Sequence, residues 1–189
     1  EAFSSRSSNN NIISQVMAKE SLALLSQSIH EAVKNGKNLQ ARSDMLLGSM
    51  MAGLAFANSP VAAIHALAYP LGGTFHIPHG LSNALVLAEV LKFNLEDSKA
   101  SEDYACLAQI VCPSSEKITS NRLESQKFSQ YFKVLCRNLD LPTRLRDLKI
   151  PRSALEKLAV DAMKQTRLLV NNPRPMNKGD ALKIYQAIW

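Results

Sequence analysis

From position 45 to position 88 the chain has no Asp, Glu, Lys or Arg. Its 22 basic and 16 acidic residues all lie outside that block, yet the block holds three of the four histidines: His65, His76 and His79. An unpaired charge is costly inside a protein, so a charge-free block of this length is made for burial. Burial does not account for the histidines. Imidazole is the commonest metal ligand and the usual acid–base group near neutral pH. Spaced histidines in an apolar block therefore mark where chemistry is to be sought.

The block could in principle cross a membrane. However, Asn58-Ser59-Pro60, Pro70-Leu71-Gly72-Gly73 and Pro78-His79-Gly80 interrupt it. No stretch between these breaks reaches the roughly 20 apolar residues of a spanning helix. Buried core helices and no membrane partner are expected. With 189 residues, 46% hydrophobic and 20% charged, the chain has the makings of one ordinary globular domain. The net charge of +6 permits contact with anions. But the basic residues are scattered and only 6% of residues are aromatic. The basic groove with interleaved aromatics that single-stranded nucleic acid requires is missing, so no nucleic-acid partner is expected. Cys106, Cys112 and Cys136 form neither a CxxC nor a zinc spacing, and their odd number speaks against a disulfide framework. A reducing, cytoplasmic setting is expected, with all three thiols buried and inert. The first ten residues are polar and do not read as a secretory leader.

Apolar spacing predicts a helix over 12–33, stopped by Asn35-Gly36, and a second over 39–57. On the second helix Ser49, Ala52 and Gly53 form a small face that would let a neighbour approach closely. Pro60 is expected to open a third helix running to the Pro70–Gly73 break. Residues 74–78 then form a connector, and a fourth helix runs from His79 or Gly80 to Phe93. Further helices are expected near 101–111 and 120–138 and after Pro151. A last one is capped by Asn177, with Asp180 three residues on. No segment alternates strictly enough to read as a strand. The expected fold class is all-α, with seven to nine helices.

His65 and His79 stand 14 residues apart with the Pro-Leu-Gly-Gly break between them. They cannot share one helix face, but a reversal at Gly72-Gly73 would bring the imidazoles together over one metal. Two histidines are not a full site, because catalytic metals usually keep three protein ligands or more. No carboxylate within the block completes the set.

The run His65-Ala-Leu-Ala-Tyr69-Pro-Leu-Gly-Gly-Thr-Phe-His76-Ile-Pro-His79-Gly-Leu-Ser-Asn-Ala resembles the signature of the iron-containing (group III) alcohol dehydrogenases. Gln40-Ala41-Arg42, Ala52–Phe56, Phe93-Asn94, Asn172-Pro173-Arg174-Pro175 and the ending Ile184–Trp189 are similar to other parts of that family. The resemblance implies a compact multi-helix bundle like the C-terminal metal-binding domain of these enzymes and of dehydroquinate synthase-like proteins. It implies one domain over 1–189, with an N-terminal α/β NAD(P)-binding domain as a partner absent from this chain. It also implies a metal, Fe(II) or alternatively zinc, held by an Asp-x-x-x-His pair and two further histidines. His65 and His79 match the latter two.

By the family pattern the Asp-x-x-x-His pair stands just before the Glu1-Ala2-Phe3 sequence, so the chain is expected to begin after it. Phe56 reads either as core or, by the resemblance, as an aromatic against the nicotinamide. Tyr69 stands where many members have a histidine; it is either a core aromatic or a catalytic group. Ala88 replaces a frequent proline. The implied function is metal-dependent, NAD(P)-linked interconversion of a small alcohol and an aldehyde or ketone, inactive in this chain alone. The alternative is a non-catalytic helical module that keeps the motif for packing. A homo-oligomer is compatible with either.

Overall fold

The computed structural model describes residues 1–112 and 120–189. Nine α-helices run through them: α1 (Ile12–Lys34), α2 (Leu39–Asn58), α3 (Ala63–Phe75), α4 (His79–Asn94), α5 (Ser98–Val111), α6 (Asn121–Asn138), α7 (Leu155–Met163), α8 (Thr166–Leu169) and α9 (Lys178–Ala187). Two 3-10 turns, Leu145–Leu148 and Arg152–Ala154, precede α7. No strand occurs among the described residues, and the all-α reading holds.

The helix ends follow from local chemistry. Asn11 caps α1 by accepting the Ile13 and Ser14 N–H groups, while Ser14 Oγ accepts the Asn11 N–H in return. Asn177 and Asp180 cap α9 with the same reciprocal pair of bonds.

α1 and α2 form a hairpin whose seam is made of small residues. Ser14, Ser21 and Ser28 are buried on α1, and Ala41, Gly48 and Ala55 on α2, each set at seven-residue spacing. Ser21 Oγ donates to the Gly48 carbonyl at 2.7 Å, and Ser28 Oγ to Asp44 at 2.9 Å. A methyl group at Gly48 would lie 2.8 Å from Leu25 Cγ. The close-approach face is therefore Ala41-Gly48-Ala55, not Ser49-Ala52-Gly53. Ser49 is exposed, and a side chain at Gly53 would meet nothing within 4 Å.

The main core lies elsewhere. Ile64, Leu67 and Leu71 of α3 meet Leu85, Val86 and Val90 of α4, together with Leu155 and Leu158 of α7 and Ile184 and Tyr185 of α9. Tyr185 Oη donates to the Leu67 carbonyl at 2.6 Å, tying the last helix to α3. A second cluster gathers Phe3, Leu91, Tyr104, Leu107 and Phe128. Asn94 joins the two regions: its Nδ2 donates to Tyr104 Oη and to Asn172 Oδ1, and Asn172 Nδ2 donates back at 2.7 Å. Arg174 donates to the Phe93 carbonyl and lies over the Phe93 ring. The Phe93-Asn94 and Asn172–Arg174 stretches, far apart in sequence, thus form one network.

Three further expectations need correction. α3 begins at Ala63, not Pro60, and it runs through Pro70, Gly72 and Gly73 to Phe75. The chain reverses instead at residues 76–78, where His76 takes the left-handed conformation (φ 55°) and its N–H bonds back to Gly72. No glycine has positive φ. Finally, the thiols are not buried: Cys106 is exposed, and Cys112 and Cys136 are half-buried, all three free. No single described helix is long and apolar enough to cross a membrane; α2 and α3 pass that test only as a pair bent by 109°.

Candidate metal centre

His65 stands on the first turn of α3 and His79 is the first residue of α4. The reversal at 76–78 folds these helix starts together, so the two imidazole centroids lie 5.4 Å apart. Tyr69, one turn after His65, completes a three-ring group at 6.4 Å from His65 and 6.3 Å from His79. His65 is partly covered and His79 exposed, so the group opens to one side.

Two residues to which the sequence assigned no role build the polar frame. Glu1 places one carboxylate oxygen 2.6 Å from the Ile64 N–H and the other on Nδ1 of His65. The Ile64 N–H belongs to the first turn of α3, whose donors have no partner inside the helix. Ala62 supplies no side-chain cap, so the carboxylate fills that role where the helix dipole favours negative charge. Burial pushes the Glu1 carboxyl up, but the His65 hydrogen bond and the Ile64 N–H help hold it below its ordinary value.

The second residue is Asn83, one turn after His79 on the same face of α4. Its Nδ2 lies 3.1 Å from Nε2 of His79 and 3.4 Å from Nε2 of His65. Both ring nitrogens therefore converge on one point. The i, i+4 relation of His79 and Asn83 was visible in the sequence. The Glu1–His65 contact spans 64 positions and had no local signal.

A cavity of about 440 Å³ opens beside this group. His65, Asn83 and Glu1 line one part of it, and Phe3, Leu107 and Phe128 the apolar remainder. Phe56 is half exposed and joins the site only as part of this wall. His76, the left-handed residue of the reversal, is exposed.

The donor set fits a transition metal in part. Two imidazole nitrogens converge, and the His65 ring is oriented through its other nitrogen by a carboxylate, as metal-bound histidines usually are. Among the described residues, no group of three or more His, Cys, Asp or Glu side chains could hold a metal ion. The described residues thus offer two candidate donors, fewer than the three or more that a catalytic metal site needs.

The family model for the Fe-containing alcohol dehydrogenase family, C-terminal, matches residues 1–189. The chain belongs to that family. Among curated proteins it is 38% identical to Long-chain-alcohol dehydrogenase 1 of Geobacillus thermodenitrificans, over 92% of this chain and 43% of that protein. It is 31% identical to the 1,3-propanediol dehydrogenase of Klebsiella pneumoniae, over 98% of this chain and 46% of that protein. The fold matches a crystal structure of 1,3-propanediol oxidoreductase with a TM-score of 0.91 at 30% identity, over the whole chain and 48% of that structure. An alcohol dehydrogenase from Oenococcus oeni matches with 0.92 at 31%, also over 48% of its length. The chain thus corresponds to the C-terminal part of Fe-containing alcohol dehydrogenases and spans somewhat under half the length of these relatives.

Proposed function

We propose that this chain is the helical, metal-holding part of an NAD(P)-linked alcohol dehydrogenase that interconverts a small alcohol and its aldehyde or ketone. The observation that carries the reading is the convergence of His65 and His79 Nε2 on one point, with Glu1 on the far nitrogen of His65. His65 and His79 would hold the metal together with ligands from outside the described residues. Iron is the metal the family's name implies; Fe(II) is the form this reading takes, and zinc accepts the same donors. A bound cation supplies Lewis-acid polarisation of an oxygen, and a nicotinamide coenzyme supplies the hydride acceptor. Glu1 fixes the His65 ring. Tyr69, within ring contact of both imidazoles, places a phenol where a proton can leave or enter. Phe56 forms a wall on which a flat nicotinamide ring can lie. A nucleotide-binding domain N-terminal to Glu1 is the partner this reading requires. The three free thiols suit a reducing cytoplasm.

The test is made on a polypeptide extended N-terminally to the length of the relatives. It should oxidise a primary alcohol with NAD(P)⁺, and His65→Ala or His79→Ala should abolish that turnover while His76→Ala leaves it intact. Turnover in both ligand variants at the native rate would refute the reading.

A further inference from the structure

An amide group with two N–H bonds stands between two ring nitrogens, and the surrounding atoms dictate which way it faces. The Glu1 carboxylate only accepts hydrogen bonds when ionised, so the His65 nitrogen that it meets, Nδ1, must carry the proton. In a neutral ring this leaves a bare lone pair on Nε2. The Asn83 atom 3.4 Å from that lone pair must then be the donor Nδ2, and the same nitrogen lies 3.1 Å from Nε2 of His79. Two N–H bonds thus meet two lone pairs. The opposite orientation would place Oδ1 against the His65 lone pair, acceptor against acceptor.

The choice has a cost that can be seen. Asn83 Oδ1 is buried and has no hydrogen-bond partner among the described residues. Buried acceptors are nearly always paired, so an amide free to choose would turn to satisfy its oxygen. Its nitrogen is held to the histidines instead. Without such a donor, two lone pairs aimed at one point repel, and each ring can relieve this by moving its proton to Nε2 or by rotating away.

We propose that Asn83 is a positioning residue: its amide locks His79, together with His65, as the Nδ1–H tautomer, with both Nε2 lone pairs aimed at the seat of the cation. The idea rests on the metal reading above for the identity of that seat. Glu1 secures His65 independently, and no described residue is recorded doing the same for His79, so Asn83 matters more to His79 than to His65.

Long-range ¹H–¹⁵N correlation of the imidazoles in the metal-free chain, at a pH where both rings are neutral, reads the tautomers directly. The native chain should show Nδ1–H for both rings. In Asn83→Leu, His79 should move largely to Nε2–H while His65 stays Nδ1–H, and a merely structural role would not separate the two rings in this way. A second variant guards against misfolding. Asn83→Asp is isosteric and replaces the donor amide with an acceptor-only carboxylate, so His79 should again move to Nε2–H while His65, held by Glu1, stays Nδ1–H. A His79 ring that stays Nδ1–H in either variant would overturn the proposal. Iron retained by an extended polypeptide carrying His65→Ala and His79→Ala would sink the metal reading alone, leaving the tautomer result standing.

Discussion

The α1–α2 hairpin and the α3–α4–α7–α9 body solve burial in opposite ways. The body buries Leu67, Leu71, Leu158 and Tyr185 almost completely. The hairpin buries serines, alanines and a glycine, and leaves Ile12, Ile13, Leu39, Leu46 and Met50 mostly exposed. Backbone proximity and two serine hydroxyl bonds hold the first pair of helices, whereas area removed from water holds the second. The contrast shows that apolar periodicity locates a helix without saying which face goes inside. An exposed apolar face is the informative departure from the usual rule. The candidate site residues follow the same division. His65, Tyr69 and His79 come from the body and are set by its packing, while Phe56 comes from the half-exposed end of the hairpin.

Substitutions can break this contrast. Leu67→Ala opens a cavity in a site with no exposure and should cost about 2–5 kcal/mol by denaturant unfolding. A cost below that range would mean that the body is loosely packed.

The phenol of Tyr104 extends the dry region into α5. Burial pushes its pKa up from 10 to about 12. A raised acid pKa means that the folded state keeps its proton longer. The associated stability is therefore complete below pH 10 and is lost as pH rises from 10 to about 12. The loss should be roughly 2–3 kcal/mol across that window, and Tyr104→Phe should flatten the slope. An unchanged alkaline slope in the variant would place the phenol in contact with water.

In the hairpin, Gly48→Ala should cost about 1–3 kcal/mol, because the new methyl meets the branch carbon of Leu25 rather than a side-chain tip. A neutral result would show that the α1–α2 seam can widen freely. The smallest effect should come from Leu46→Gln, within about 0.5 kcal/mol, since Leu46 is 75% exposed. A large loss there would reveal a partner for the outer face of α2.

Much of this was legible because it depends on short-range chemistry. The limits of α1, α2, α4 and α6 and the start of α9 followed from capping asparagines, turn residues and apolar spacing. The motif that placed His65 and His79 in one site was equally local. What failed was competition between local preference and burial. Pro70 and the Gly72-Gly73 pair are helix breakers by propensity, but α3 is buried along most of its length, and packing carries it through them to Phe75. The bend then fell on His76, where glycine is the usual residue. The small seam of α1 and α2 could not be assigned to a face because both candidate faces of α2 contain small residues. Glu1 and Asn83 went unnoticed as site residues for different reasons. The first acts across 64 positions, and the second makes a contact that only the reversal at 76–78 creates.

The central claim is that α3 and α4 together present half of a metal site. Metal analysis of the N-terminally extended polypeptide tests it most directly. The native protein should carry one iron or zinc per chain, and His65→Ala and His79→Ala should each reduce that content severely with the helical fold intact. Full metal content in either variant would contradict the account.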